Sequence, residues 1–110
     1  MKIDVATTRA EHIQGLMGKT KFRPLLFVHR TAEPRAMHMK HMKASIDIFW
    51  ISAEGRIVQV YRRCPPNDTY IYPSGEPVLY AIEAPPGMLP YRKGKLLDMQ
   101  TVLRTRSLPE

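Results

Sequence analysis

Over residues 2–7 apolar and polar positions alternate, with Ile3 and Val5 sharing one side of the chain, which is the period of a half-buried strand. At Thr8 the rule changes. Thr8-Arg9-Ala10-Glu11 has the form of a capping box, in which the threonine hydroxyl serves the Glu11 amide and the glutamate reaches back, so a helix is expected there. Ile13, Leu16 and Met17 then fall at i, i+3 and i+4 as one apolar stripe, while Gly15 and Gly18 keep the helix short.

Pro24 opens the apolar run 25–28, whose length suits a buried strand. Residues 36–42 read as extended. Residues 46–51 form another strand, joined through Ala53-Glu54-Gly55 to 56–61 as a hairpin with Gly55 at positive φ. Cys64-Pro65-Pro66 ends it, because consecutive prolines donate nothing to a ladder. Residues 70–77 read as an irregular excursion turning at Pro73-Ser74-Gly75, and 78–84 as the last clear strand, closed by Pro85-Pro86-Gly87. Residues 96–103 have no decisive period and are read as a strand in preference to a helical turn. The expected fold is a single β-rich domain over 1–110, a compact β-sandwich or flattened barrel with one short N-terminal helix.

Composition narrows this picture. A chain of 110 residues, 44% hydrophobic and 25% charged, has the length of one domain and enough apolar residues for a core, which rules out a two-domain enzyme. Its single cysteine, Cys64, excludes an internal disulfide and a cysteine-rich metal knuckle and fits a reducing compartment. Neither an apolar run of about 18 residues nor the pattern of a signal peptide occurs, so the cytoplasm is the expected location.

The net charge of +7 is uneven: residues 1–43 carry nine Lys/Arg against three acids, residues 44–91 carry three against five, and the tail from Arg92 is basic again. Such an excess draws polyanions without naming one. No recognition-helix pattern, zinc-finger spacing or aromatic signature of an RNA-binding sheet accompanies it, so nucleic acid is supported by electrostatics alone. If the two basic ends meet in the fold, the charge marks a face.

Val5-Ala6-Thr7, Gly15-Leu16-Met17, Leu25-Leu26-Phe27, Met39 eight positions before Asp47, Gly55-Arg56-Ile57-Val58, Pro65-Pro66, the run from Pro77 to Glu83, and Gly87 follow one another in a specific order. Together, over about residues 5–98, they resemble domain-of-unknown-function family 192 of bacteria and archaea. The resemblance implies a compact β-rich fold with a short helix, often found in exported proteins, and implies no established activity. This chain departs from the family pattern at Pro24, where a glycine is usual, and at His12, His38, His41 and Met42, so the chemistry of that loop is its own.

Three constellations carry candidate chemistry. Met37-His38-Met39-Lys40-His41-Met42 is rich in the soft ligands that select Cu(I); on a strand, Met37, Met39 and His41 share one side. The plainer reading puts the methionines in the core, and no metal or other cofactor is assigned. Asp47 and Glu83 lie in apolar strands, where desolvation raises a carboxyl pKa and a pair can act as acid and base. The plainer reading leaves one of them at the surface and has the other cap a backbone or pair with Lys19 or an arginine. The loop at residues 70–75, with Tyr72 and with Trp50 nearby in pattern, offers aromatic walls for a ligand, or else a lid over its own core. Cys64 lacks a fixed base, and no serine elbow or phosphate loop occurs.

The sequence therefore describes a non-catalytic ligand-binding or accessory module for a small or polyanionic ligand, its candidate contacts Lys19, His38, Met39, His41, Asp47, Trp50, Tyr72 and Glu83. The alternatives are a small hydrolase using Asp47 and Glu83 as paired carboxylates, and an electrostatic nucleic-acid binder.

Overall fold

A computed structural model describes all residues 1–110. Seven strands and two helices run in the order β1 (Asp4–Ala6), α1 (Arg9–Gln14), β2 (Leu25–Glu33), β3 (Ala36–His38), β4 (Ile46–Ile51), β5 (Ile57–Cys64), β6 (Ile71–Pro73), β7 (Val78–Ala84) and α2 (Met99–Thr105). Five strands make the main sheet in the order β1-β2-β7-β4-β5, and β3 and β6 make a second, two-stranded sheet. The fold is mainly β, as the alternation predicts, and both sheets stay open.

β4 and β7 are central, and all six residues of β4 are buried, as befits a strand covered on both faces. Alternation sorts their side chains into two cores. Phe49, Ile51, Ile82 and Ala84 face the C-terminal segment, where Leu89, Tyr91, Val102 and Leu108 close over them. Ile46, Ile48, Trp50 and Ala81 face Leu16, Met39, Met42 and Tyr72. Each core of 14 buried residues is thus sealed by chain from one side of the sheet only.

The capping box forms as read: Glu11 N–H donates to Thr8 Oγ1 at 3.1 Å, and Thr8 N–H to Glu11 Oε1 at 3.0 Å. The hairpin turns at Gly55, with φ 89, where a Cβ would stand 2.2 Å from the carbonyl oxygen of Leu97, so only glycine fits. The basic ends of the chain do meet, since Lys2 bridges Ser107 and Ile3 N–H donates to the carbonyl of Arg106 at 3.0 Å.

Three local expectations are corrected. The stretch read as a strand over 96–103 holds α2 instead, because Asp98 caps it: Thr101 N–H and Oγ1–H both donate to the carboxylate, at 3.2 and 2.8 Å. Met99 and Val102, three apart, are its buried residues. Residues 70–77 contain a strand, β6, too short to show a period, which pairs Met37 with Tyr72. The extension read over 36–42 stops at His38, and His41 sits at φ 63 in a turn closed by Met42 N–H to the Met39 carbonyl at 3.2 Å. No helix is long and apolar enough to cross a membrane.

Candidate functional site

Glu83 lies on β7 between Leu25 of β2 and Ile48 of β4, on the sheet face that α1 covers. Only 6% of it is exposed, and one carboxyl oxygen, Oε1, is buried with no hydrogen-bond partner. Burial among apolar neighbours pushes the Glu83 carboxyl up to about 7, with the Leu16 amide pulling weakly the other way. Near neutrality the group is therefore poised between neutral acid and carboxylate.

Gly15 ends α1 directly over this carboxyl. Its φ of 45 and ψ of −130 suit glycine, and a Cβ there would press on Glu83 Oε1 at 3.2 Å and on the Phe27 ring at 3.3 Å. The Gly15-Leu16-Met17 segment thus lets backbone approach a buried acid. Glu83 and Gly15 line a cleft of ≈ 460 Å³ between α1 and the β3–β4 connection. Its walls carry thioethers from Met17, Met37 and Met42 and imidazoles from His12, His38 and His41, beside Phe27 and Lys40.

The turn after His38 decides which of the Met/His residues reach this cleft. Met37 and His41 line it, whereas Met39 is wholly buried in the core, so the strand-like set Met37, Met39 and His41 does not form. His38 lines the cleft too, with Nδ1 accepting from the Lys40 amide at 3.2 Å. No group of three or more His, Cys, Asp or Glu side chains is placed to hold a metal ion.

The two carboxylates proposed as an acid/base pair do not share a cleft. Asp47 stands opposite Ala84 and Glu83 opposite Ile48 in the next rung, so alternation sends the two side chains to opposite faces of the sheet. Asp47 is fully buried, and all its acceptors' work is internal: it takes Arg62 Nη1–H at 2.9 Å, Arg63 N–H at 2.8 Å and Gly87 N–H at 2.9 Å. Arg62 continues to the carbonyls of Leu89 and Tyr91, at 2.9 and 2.6 Å, and lies over the Phe49 ring. Asp47 therefore anchors the Pro85-Pro86-Gly87 turn and the chain after it. Its counter-ion is Arg62, not Lys19, which is exposed and makes no ion pair.

Trp50 and Tyr72 do not wall the cleft either. The indole N–H of Trp50 donates to the Tyr72 carbonyl at 3.2 Å beneath the small sheet, and the Tyr72 hydroxyl donates to Asp68 at 2.8 Å. Tyr61 and Tyr70 pack against the Tyr72 ring, so the aromatic loop is held on its own domain. Burial raises the Cys64 thiol to about 11, the opposite of what a nucleophile requires.

A second cleft adjoins the first through His12, which lines both. It lies between the start of α1 and a bulge in β2, where the register slips between Val28 and Glu33, and it holds His29, Arg30 and Arg35 opposite Arg9. The His12 and His29 rings are 4.5 Å apart. None of the residues around His29 was legible as a site, because a bulge that re-aims side chains leaves no periodic mark.

Compared with known proteins, the chain matches the model of domain-of-unknown-function family 192, described as Uncharacterized ACR, over residues 1–95. No curated protein matches it. Among solved structures, it resembles a candidate transcription regulator from Sinorhizobium meliloti 1021, at 25% identity and a TM-score of 0.73, covering 97% of this chain and 75% of the other. It also resembles a protein of unknown function from Novosphingobium aromaticivorans DSM 12444, at 22% identity and a TM-score of 0.80, covering 86% and 71% of the two chains.

Proposed function

The chain belongs to domain-of-unknown-function family 192, and from that premise we propose that it is a non-catalytic binding module whose ligand sits over the Glu83 carboxyl. The observation that carries this reading is a buried acid that lines a cleft of ≈ 460 Å³ and has one oxygen, closed off from solvent, without a partner. Unsatisfied buried polar atoms cost stability, and a ligand that donates to Glu83 would offset that cost. Thioethers adapt to irregular apolar shapes, and the imidazoles at the rim add polar contacts. The ligand this suits is small and partly apolar, with an N–H donor or cation directed at Glu83. Hydrolysis by paired carboxylates has no support, since Asp47 is consumed by its own hydrogen bonds on the far face of the sheet.

Benzamidine, a flat ring bearing a forked cation, is a suitable probe. Titrated into the protein, it is expected to shift the methyl NMR signals of Met17, Met37 and Met42 while leaving Met99 in place. Its affinity should rise about tenfold between pH 6 and pH 8 as Glu83 ionises, and fall by a similar factor in Glu83→Gln. Equal binding by Glu83→Gln, or shifts confined to other methyls, would overturn the reading.

A further inference from the structure

The chain contains two buried side-chain polar atoms without partners, Glu83 Oε1 and Arg35 Nε. The first lacks a donor and belongs to the cleft just described. The second lacks an acceptor, and Arg35 lines the adjoining cleft at the β2 bulge. We propose that this second cleft is an oxyanion site that takes a phosphate group, with Arg9, Arg30 and Arg35 as its charged donors.

The geometry builds such a site from three directions. Five residue steps on β2 stand against two on β7 between the rungs Val28–Tyr80 and Glu33–Val78, so the bulge pushes His29, Arg30 and Thr31 out of the ladder. Arg9 comes from the first turn of α1, and Arg35 from the link into β3. The space between them is ≈ 690 Å³, lined by three guanidiniums, two imidazoles and three threonines, with the Glu11 carboxylate held on the Thr7 and Thr8 amides and the Glu33 carboxylate on the Thr31 hydroxyl behind the lining. The side chains of Arg9 and Arg30 make no hydrogen bond or ion pair within the chain. Arg35 spends Nη2 on the Thr31 carbonyl at 2.8 Å and on Glu33 at 3.3 Å, which leaves Nε–H without an acceptor.

The local field agrees. Burial pulls the His29 imidazole down to about 4, and the positive charges of Arg35 and His12 pull the same way, against a weaker upward pull from Glu33. His29 is thus a neutral ring in a cationic cleft. A planar guanidinium offers paired N–H donors that match two phosphate oxygens, and three such groups match a dianion better than a single carboxylate would. His12 Nε2–H is tied to the Ala6 carbonyl at 3.0 Å, so the neutral ring presents only a lone pair at Nδ1 and the anion's donors are the guanidiniums. The phosphate comes either from a small phosphorylated molecule or from a nucleic-acid backbone.

The test is histidine NMR on the full chain. Inorganic pyrophosphate is expected to shift the His12 and His29 ring signals and to raise the titration midpoint of His29 by about one unit, since a bound anion favours the imidazolium. The exposed pair Arg9→Gln and Arg30→Gln, which removes no internal contact, should weaken pyrophosphate binding at least tenfold. A short single-stranded oligonucleotide forms the second arm: tighter binding than pyrophosphate with a steep salt dependence identifies a polynucleotide as the source, and weaker binding identifies a small phosphate. Glu83→Gln should leave all of these responses unchanged, which separates this site from the benzamidine cleft. The proposal is overturned if pyrophosphate and oligonucleotide both leave His29 unmoved, or if the double arginine variant binds as wild type.

Discussion

Asp47 and Glu83 are both buried carboxylates, on neighbouring strands and in adjacent rungs, yet the protein treats them in opposite ways. Asp47 accepts three hydrogen bonds, one from a guanidinium and two from backbone amides, and through them ties β5 and the Gly87 turn to β4. Glu83 has an oxygen with no partner, and burial lifts its carboxyl to about 7. What separates them is which face of the sheet each meets. On Asp47's side the chain returns with two amides and an arginine; on Glu83's side it returns with Gly15, Leu16 and Phe27, of which only the Leu16 amide faces the carboxyl as a donor. A satisfied buried charge is costly to disrupt, because its partners are then left unpaired, whereas an unsatisfied one carries its desolvation cost already in the folded state.

The contrast is broken most forcefully at Asp47. Asp47→Ala leaves two backbone amides without an acceptor and strands Arg62, whose side chain is 41% exposed and keeps access to water, so it should cost about 2–4 kcal/mol, mostly for the unpaired amides. Urea unfolding measures it. A loss no larger than that of a surface substitution would show that the Asp47 hydrogen bonds carry no more weight than Glu83's vacant one.

At Glu83 the opposite sign is expected. Between pH 4.5 and about 7 the folded state keeps a proton that the unfolded chain has released, so this group makes stability fall as pH rises through that window and level off above it. Glu83→Gln removes the ionisation, and should be more stable than wild type at about pH 8 by roughly 3 kcal/mol. The difference between the two stability curves should shrink as pH falls and be nearly gone below 4.5. His29 works the other way: its folded midpoint is lowered to about 4, so its contribution is lost as pH drops from 6.5 toward 4. In Glu83→Gln that slope is no longer opposed, and stability between pH 5 and 6.5 should climb with pH more steeply than in wild type. A variant less stable than wild type at pH 8 would mean that the Glu83 carboxylate is better satisfied than its surroundings show.

How much of this could be read from the chain alone follows the same division. The strands at 46–51 and 78–84, the capping box at Thr8 and the hairpin at Gly55 are written in local period and turn chemistry, and they appear as read. Asp47 and Glu83 stand out in sequence because each breaks an apolar run. Their opposite faces follow only from the β4–β7 register, which no local pattern encodes. Met39 reads as a ligand only on a strand that continues past His38, and β3 ends there. The αL turn at His41 sends Met39 inward and brings Met42 to the cleft instead. Helix α2 was missed where Asp98, a side chain able to cap, interrupts an apolar run that reads equally well as strand. Arg9, Arg30 and Arg35 register in the sequence only as part of the basic excess over residues 1–43; that they meet at one cleft follows from the β2 bulge, which is set by long-range pairing.

The subtlest way to sharpen the contrast is at Gly15. Alanine there meets a backbone conformation that favours glycine and presses its methyl on Glu83 Oε1 and Phe27, so Gly15→Ala should cost about 1–2 kcal/mol. Only part of that cost is contact with the acid. In a Glu83→Ala background the methyl gains room, and the same substitution should cost less, with a coupling of roughly 0.5–1 kcal/mol between the two sites. A cycle that closes with no coupling would assign the whole penalty to the backbone. The glycine would then serve the turn alone, and the close approach of α1 to Glu83 would be its by-product. A measurable coupling instead makes Gly15 and Glu83 one unit, in which the chain gives up a side chain at the helix end to keep a buried acid uncovered for the cleft.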